Sequence, residues 1–132
     1  MNKAIIDGFG KIPVKPKTTK YKPKSLANVL TKAIIDYITL NGGVAWRINN
    51  VAVVMPDGTR RAGGMVRGIA DIHACLNGRH ISIEVKIGKD KQSPQQIAMQ
   101  ESIAKAGGLY LVAKNMQMVI DYFQLFFKIK SK

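Results

Sequence analysis

Acidic side chains are scarce in this chain: 8 Asp and Glu stand against 21 Lys and Arg in 132 residues, a formal net charge of +13. So large a surplus excludes a polycationic partner and favours an anionic one, through counterion release and long-range attraction. Nucleic acid is the first candidate, with a basic protein of another kind, such as a ribosome-associated one, as the alternative. Cysteine is rarer still. Cys75 is the only one, so an internal disulfide is excluded and a reducing compartment is the simplest expectation. Long apolar runs are missing too. The opening MNKAIIDGFGKIPVKPK has no leader-like stretch, and no segment approaches the roughly 20 apolar residues of a membrane span. The expectation is a soluble, cytoplasmic protein of a bacterial or phage-infected host cell, without a membrane partner. Aromatic residues are few: one Trp and 4 Phe form no array suited to single-strand binding, and Trp46 is expected in the core.

What remains is enough for one compact domain with a short tail. Residues 1–24 carry Lys3, Lys11, Lys15, Lys17, Lys20, Lys22 and Lys24 with Pro13, Pro16 and Pro23 interleaved. Proline denies the segment a helix and lysine denies it a core, so it reads as an extended basic arm, either phosphate-contacting or merely solubilising. From Ser25, an N-cap, apolar residues recur at three-to-four spacing from Leu26 through Ile38 until Asn41-Gly42-Gly43, which predicts an amphipathic helix. Val44 to Ile48 reads as a strand and Met55 to Gly64 as an arginine-bearing loop. Ser93-Pro94 opens a second helix that ends before Gly107-Gly108; Leu109 to Ala113 is a strand, and Asn115 caps a last helix to about Phe127. On that helix Leu125, Phe126 and Phe127 offer more apolar surface than a core requires, and a share in dimerisation is favoured.

The chemistry concentrates in GIADIHACLNGRHISIEVK, Gly68 to Lys86. Asn77-Gly78 between two apolar runs predicts a type I′ hairpin turn, since both central positions need positive φ. That turn sets the register: Cys75 opposite His80, His73 opposite Ser82, Ile72 opposite Ile83, and Asp71 opposite Glu84. With a period of two, Lys86 shares the face of Asp71 and Glu84, while Ile72, Ile83 and Val85 point to the other. Facing carboxylates repel unless a positive charge lies between them, and a divalent cation answers that need. Mg²⁺ or Mn²⁺ held by such a pair can serve phosphodiester cleavage, with Lys86 to orient water or neutralise developing charge. An ordinary surface salt-bridge cluster is the plainer alternative. Against it, Ile83, Val85 and Ile87 mark an interior strand, where unpaired charge is costly. His73, Cys75 and His80 lack zinc-site spacing, and His73 is read as an ordinary hydrogen-bonded histidine.

The ordered set Gly68-x-x-Asp71, Glu84-Val85-Lys86, Ser93-x-x-Gln96 and Ala106-Gly107-Gly108 resembles the VRR-NUC domain of the PD-(D/E)XK nuclease superfamily, especially its small stand-alone phage and bacterial versions, over roughly Ser25 to Ala113. The resemblance implies an α/β fold, a mixed sheet flanked by helices in αβββαβ order, carried by residues 25–132. It implies metal ligation by Asp71, Glu84 and the Val85 carbonyl, a catalytic Lys86, and a Gln96 that positions Lys86 or a water. One departure stands out: where the family often has a glutamate on its first helix, this chain has Asn28, and Asp36 is that helix's only carboxylate. The implied activity is a metal-dependent endonuclease on branched DNA, with Holliday junction resolution by a homodimer the leading role and flap cleavage a variant. The rival is a non-catalytic DNA-binding accessory protein on the same fold. In either case Lys20, Lys22, Lys24, Arg60, Arg61, Arg67, Lys89 and Lys91 are the candidate phosphate contacts.

Overall fold

The computed structural model describes residues 25–48, 53–61 and 66–129. The basic arm, with Lys20, Lys22 and Lys24, lies outside them. Helix α1 (Leu26–Leu40) begins where Ser25 Oγ accepts from the Asn28 N–H, as its N-cap position predicts. Strand β1 (Val44–Arg47) follows. Within the Met55–Gly64 loop, Arg60–Arg61 (β3) pairs antiparallel with Val53–Val54 (β2), which makes a small ribbon of part of the expected loop. The Met55 N–H donating to the Thr59 carbonyl closes its turn.

Strands β4 (Ile72–Leu76) and β5 (Arg79–Val85) form the predicted hairpin. Asn77 and Gly78 have φ of 51° and 76°, the two positive values a type I′ turn needs. Its register is the expected one, with Ile72 opposite Ile83, His73 opposite Ser82 and Cys75 opposite His80. Helix α2 (Pro94–Lys105) then crosses to β6 (Leu109–Ala113), which lies parallel to β5, and α3 (Met116–Phe127) ends the described chain. A parallel neighbour requires such a crossover. The main sheet is mixed, in the order β1-β4-β5-β6, with β1 antiparallel to β4.

Period-two alternation divides the sheet into two unlike faces. One carries Ile72, Ala74, Leu76, Ile81, Ile83, Val85, Leu111 and Ala113, all buried against Leu30, Ile34 and Ile38 of α1 and Val119 and Phe123 of α3. Tyr37 meets Phe123 edge-on at 5.7 Å between ring centroids, and Phe127 stacks on Phe123 at 5.3 Å. Phe127 therefore serves the core, while Leu125 is 76% exposed and Phe126 is also exposed. The opposite face is polar, and α2 approaches it from the β6 side. No described helix is long and apolar enough to cross a membrane.

Phe123 is wholly buried where α1, α3 and the sheet meet. Phe123→Ala is expected to lower unfolding free energy by about 3–5 kcal/mol, and Leu125→Ala by no more than about 0.5 kcal/mol, in urea titrations followed by circular dichroism. Equal losses would contradict this division of α3.

Candidate active site

The polar face gathers Asp71 before β4, Ser82 and Glu84 on β5, Lys86 just beyond it, and Tyr110 on β6 opposite Ser82. β5 is interior, so Glu84 is only 2% exposed although it is ionisable. One Glu84 oxygen, Oε1, accepts from Gln96 Nε2 at 2.7 Å and lies 3.5 Å from Lys86 Nζ. The other, Oε2, is buried with no hydrogen-bond partner. Orphaned buried polar atoms are rare and call for a cause. Here Tyr110 Oη and His73 Nε2 share that condition, and all three lie on this one face. Position 73 thus departs from the ordinary hydrogen-bonded histidine expected: burial, then neighbouring His80, pushes its imidazole pKa down.

Asp71 stands one residue before the β4 ladder and is held from both sides. Its carbonyl accepts from the Ile48 N–H at 2.8 Å, and its Oδ2 accepts from the Val85 N–H at 2.8 Å. In an extended strand the N–H and C=O of one residue point the same way, so the Val85 carbonyl faces the Asp71 side. Asp71 and Glu84 are therefore neighbours, as expected from the hairpin register. Gly68 supports this approach: with φ of 79°, it packs so closely on α2 that a Cβ would collide with the Gln95 carbonyl.

Gln96 meets the same Glu84 oxygen as Lys86 and also caps its own helix. Its Oε1 accepts from the Ser93 N–H at 2.9 Å while Ser93 Oγ accepts from the Gln96 N–H, a capping box that starts α2. Its amide NH₂ is thereby aimed at Glu84. The helix terminus and the site are locked by one side chain, and the Ser93-x-x-Gln96 spacing is the signal that reveals it.

Lys86 is 9% exposed and stands between Glu84 and Asp90, 3.7 Å from Asp90 Oδ2. Beyond it a cleft of about 480 Å³ runs between Lys86, Lys91 and Lys114, walled by Ile97, Val112 and Met118. Lys114 was not among the residues singled out by spacing; only the turn after β6 brings it near Lys86. Lys89 and Lys91 are exposed in the connection to α2, and Arg60, Arg61 and Arg67 are exposed elsewhere. Asn28 lines a cleft with Val29, Lys32, Ala33, Asp36 and Arg47, whose lining includes neither Asp71 nor Glu84. Among the described residues no three His, Cys, Asp or Glu side chains gather to hold a metal by themselves.

Electrostatics follow from this packing. Burial first, and then the Asp71 carboxylate, push the Glu84 pKa up to about 7, with Lys86 opposing. The Tyr110 hydroxyl is pushed up to about 12, again by burial first and then by Glu84. No protein-family model matches the chain, and no curated protein matches it either.

A raised carboxyl pKa has a definite consequence for stability. The folded state holds the Glu84 proton up to about pH 7, while the unfolded chain loses it near 4.5, so stability falls as pH rises through that window and is flat above it. In chelator, wild type is expected to lose on the order of 2 kcal/mol between pH 5 and 8 that Glu84→Gln does not lose. Urea midpoints of both proteins at the two pH values measure it; a pH-independent difference would contradict the assignment.

Proposed function

We propose that the chain is a metal-dependent endonuclease of the PD-(D/E)XK type, akin to VRR-NUC domains, acting on phosphodiester bonds of branched DNA. The supporting observation is the buried Glu84 Oε2, an acceptor with no protein partner, beside Asp71 and on one face with Lys86. Two neighbouring carboxylates, one oxygen of which has no donor, suit a hard divalent cation, which is satisfied by few protein oxygens together with water and substrate oxygens.

Asp71, Glu84 and the Val85 carbonyl would hold Mg²⁺ or Mn²⁺, which when bound supplies Lewis-acid stabilisation of the phosphoryl oxygens and a more acidic water. Gln96 fixes Glu84 Oε1, and Oε2 is the oxygen left without a donor to serve a cation. The Lys86 ammonium lies beside that carboxylate in a largely dry setting, where a fixed positive charge counts for more against the charge that develops at phosphorus. Hydrolysis adds water across one P–O bond and leaves one phosphate end and one hydroxyl end. Lys91 and Lys114 line the cleft with Lys86, and the exposed Arg60, Arg61, Arg67 and Lys89 are further candidate phosphate contacts. A four-way junction cut by a homodimer matches two sites to a two-fold substrate, with flaps as the variant substrate.

A second reading, a DNA-binding accessory protein without turnover, draws on Asn28 standing where the family often has a first-helix glutamate, and on the absence among the described residues of a third acidic, His or Cys side chain gathered at the site. Cleavage assays separate the two. With labelled four-way junction, flap and duplex DNA, Mg²⁺- or Mn²⁺-dependent cutting of the branched substrates is expected, absent in EDTA. Glu84→Ala should abolish it and Lys86→Ala should slow it about 10²–10³-fold, with junction binding retained in both. Tight binding without cutting in either metal would establish the accessory reading, and full activity of Glu84→Ala would remove the site assignment.

A further inference from the structure

We propose that Trp46 is a stacking platform for an unpaired nucleobase of the strand entering the candidate active site. The proposal deepens the nuclease reading and rests on it for the path of the strand. Its starting point is a correction: Trp46, expected in the core, is 47% exposed on the edge strand β1. Strand alternation puts it on the polar face, opposite His73. The indole is inclined 31° to the His73 imidazole at 6.4 Å between centroids, and His73 in turn lies 5.1 Å from His80, itself joined to Ser82 Oγ at 3.0 Å. A row of rings thus crosses three strands. His73 backs the indole from the sheet interior, and part of the indole remains open to solvent.

Position gives the row its meaning. Asp71 precedes His73 by two residues and keeps register through its carbonyl bond to Ile48, so Asp71 is the diagonal cross-strand neighbour of Trp46. Such neighbours lie about 7–8 Å apart, close enough for a base on the indole to belong to a nucleotide at or next to the bond being cut. Among the described elements, α2 packs on β6, at the opposite edge of the sheet from β1 and Trp46. Stacked base pairs hide their faces, so only an unpaired base can present one to Trp46. Flaps, gaps and opened junction arms offer such bases; uninterrupted duplex does not.

A second copy of the chain is the competing occupant, and two observations disfavour it. Among the described residues of β1, β4 and β5, those around Trp46 on this face are His73, Cys75, His80, Ser82 and Asp71, with Val44 as the exposed aliphatic one, whereas stable self-association needs a broad apolar patch. A net charge of +13 also attracts a polyanion to a face without such a patch.

Trp46 is the only tryptophan, so its fluorescence reports on this position alone. The full chain would be titrated in EDTA with a short single-stranded oligonucleotide, the same strand made abasic throughout, and a blunt duplex. Marked quenching by the single strand is expected, with little from the other two. Trp46→Ala, checked for folding by circular dichroism, should bind the single strand about 5- to 100-fold more weakly, and Trp46→Phe should recover most of the loss. Equal quenching by the abasic strand, or unaltered affinity of Trp46→Ala, would overturn the proposal. So would an emission shift that depends on protein concentration without DNA, which would assign the face to a second copy. Quenching without Mg²⁺-dependent cleavage would remove the nuclease reading alone; cleavage without quenching would remove this inference alone.

Discussion

Glu84 lies almost wholly out of water beside a second carboxylate, and the arrangement around it follows from accommodating that charge. Isolated, a buried carboxylate is costly and takes up a proton, which is what drives its pKa towards neutrality. Each neighbour addresses part of the problem. Gln96 satisfies one oxygen, Lys86 supplies positive charge, and the Val85 N–H occupies an oxygen of Asp71. One oxygen of Glu84 is left without a donor. A surface ion-pair cluster would be screened by solvent; this one is largely out of its reach.

Burial of that face depends on topology. β5 is flanked by β4 and β6, its apolar side faces α1 and α3, and its polar side receives the start of α2. Because the capping box both starts α2 and orients the Gln96 amide, helix placement and site geometry share a single device. Gly68, tight against the Gln95 carbonyl, ties the approach to Asp71 to the same helix end. The site is therefore built largely from regular structure, with the precision that rigid elements confer.

Much of this was legible in the residues. Asn77-Gly78 determines the hairpin register and hence which residues oppose Asp71 and Glu84, because a two-residue turn leaves no slack. Ser25, Ser93 and Asn115 mark helix starts through local hydrogen bonds that need no tertiary partner. What escaped reading depends on distant chain. Four residues, Val44–Arg47, cannot say which of their faces will be covered, so Trp46 was expected inside. Lys114 meets Lys86 only after the crossover, and the β2–β3 ribbon is two residues wide, too short for periodicity to register. The mixed α/β architecture agrees with the sequence expectation, while the nuclease assignment goes beyond architecture, since fold alone does not specify function.

A cation shared by Asp71 and Glu84 would be bound with release of a proton, and that linkage is measurable without any substrate. Calorimetric titration of Mn²⁺ into metal-free protein at pH 6.5, in buffers of different ionisation enthalpy, reads both quantities. The account predicts saturable binding that releases a fraction of a proton to one proton, because the cation displaces the proton that Glu84 holds up to about pH 7, with both signals lost in Glu84→Gln. Binding of equal strength in Glu84→Gln, or no binding by wild type at millimolar Mn²⁺, would contradict it.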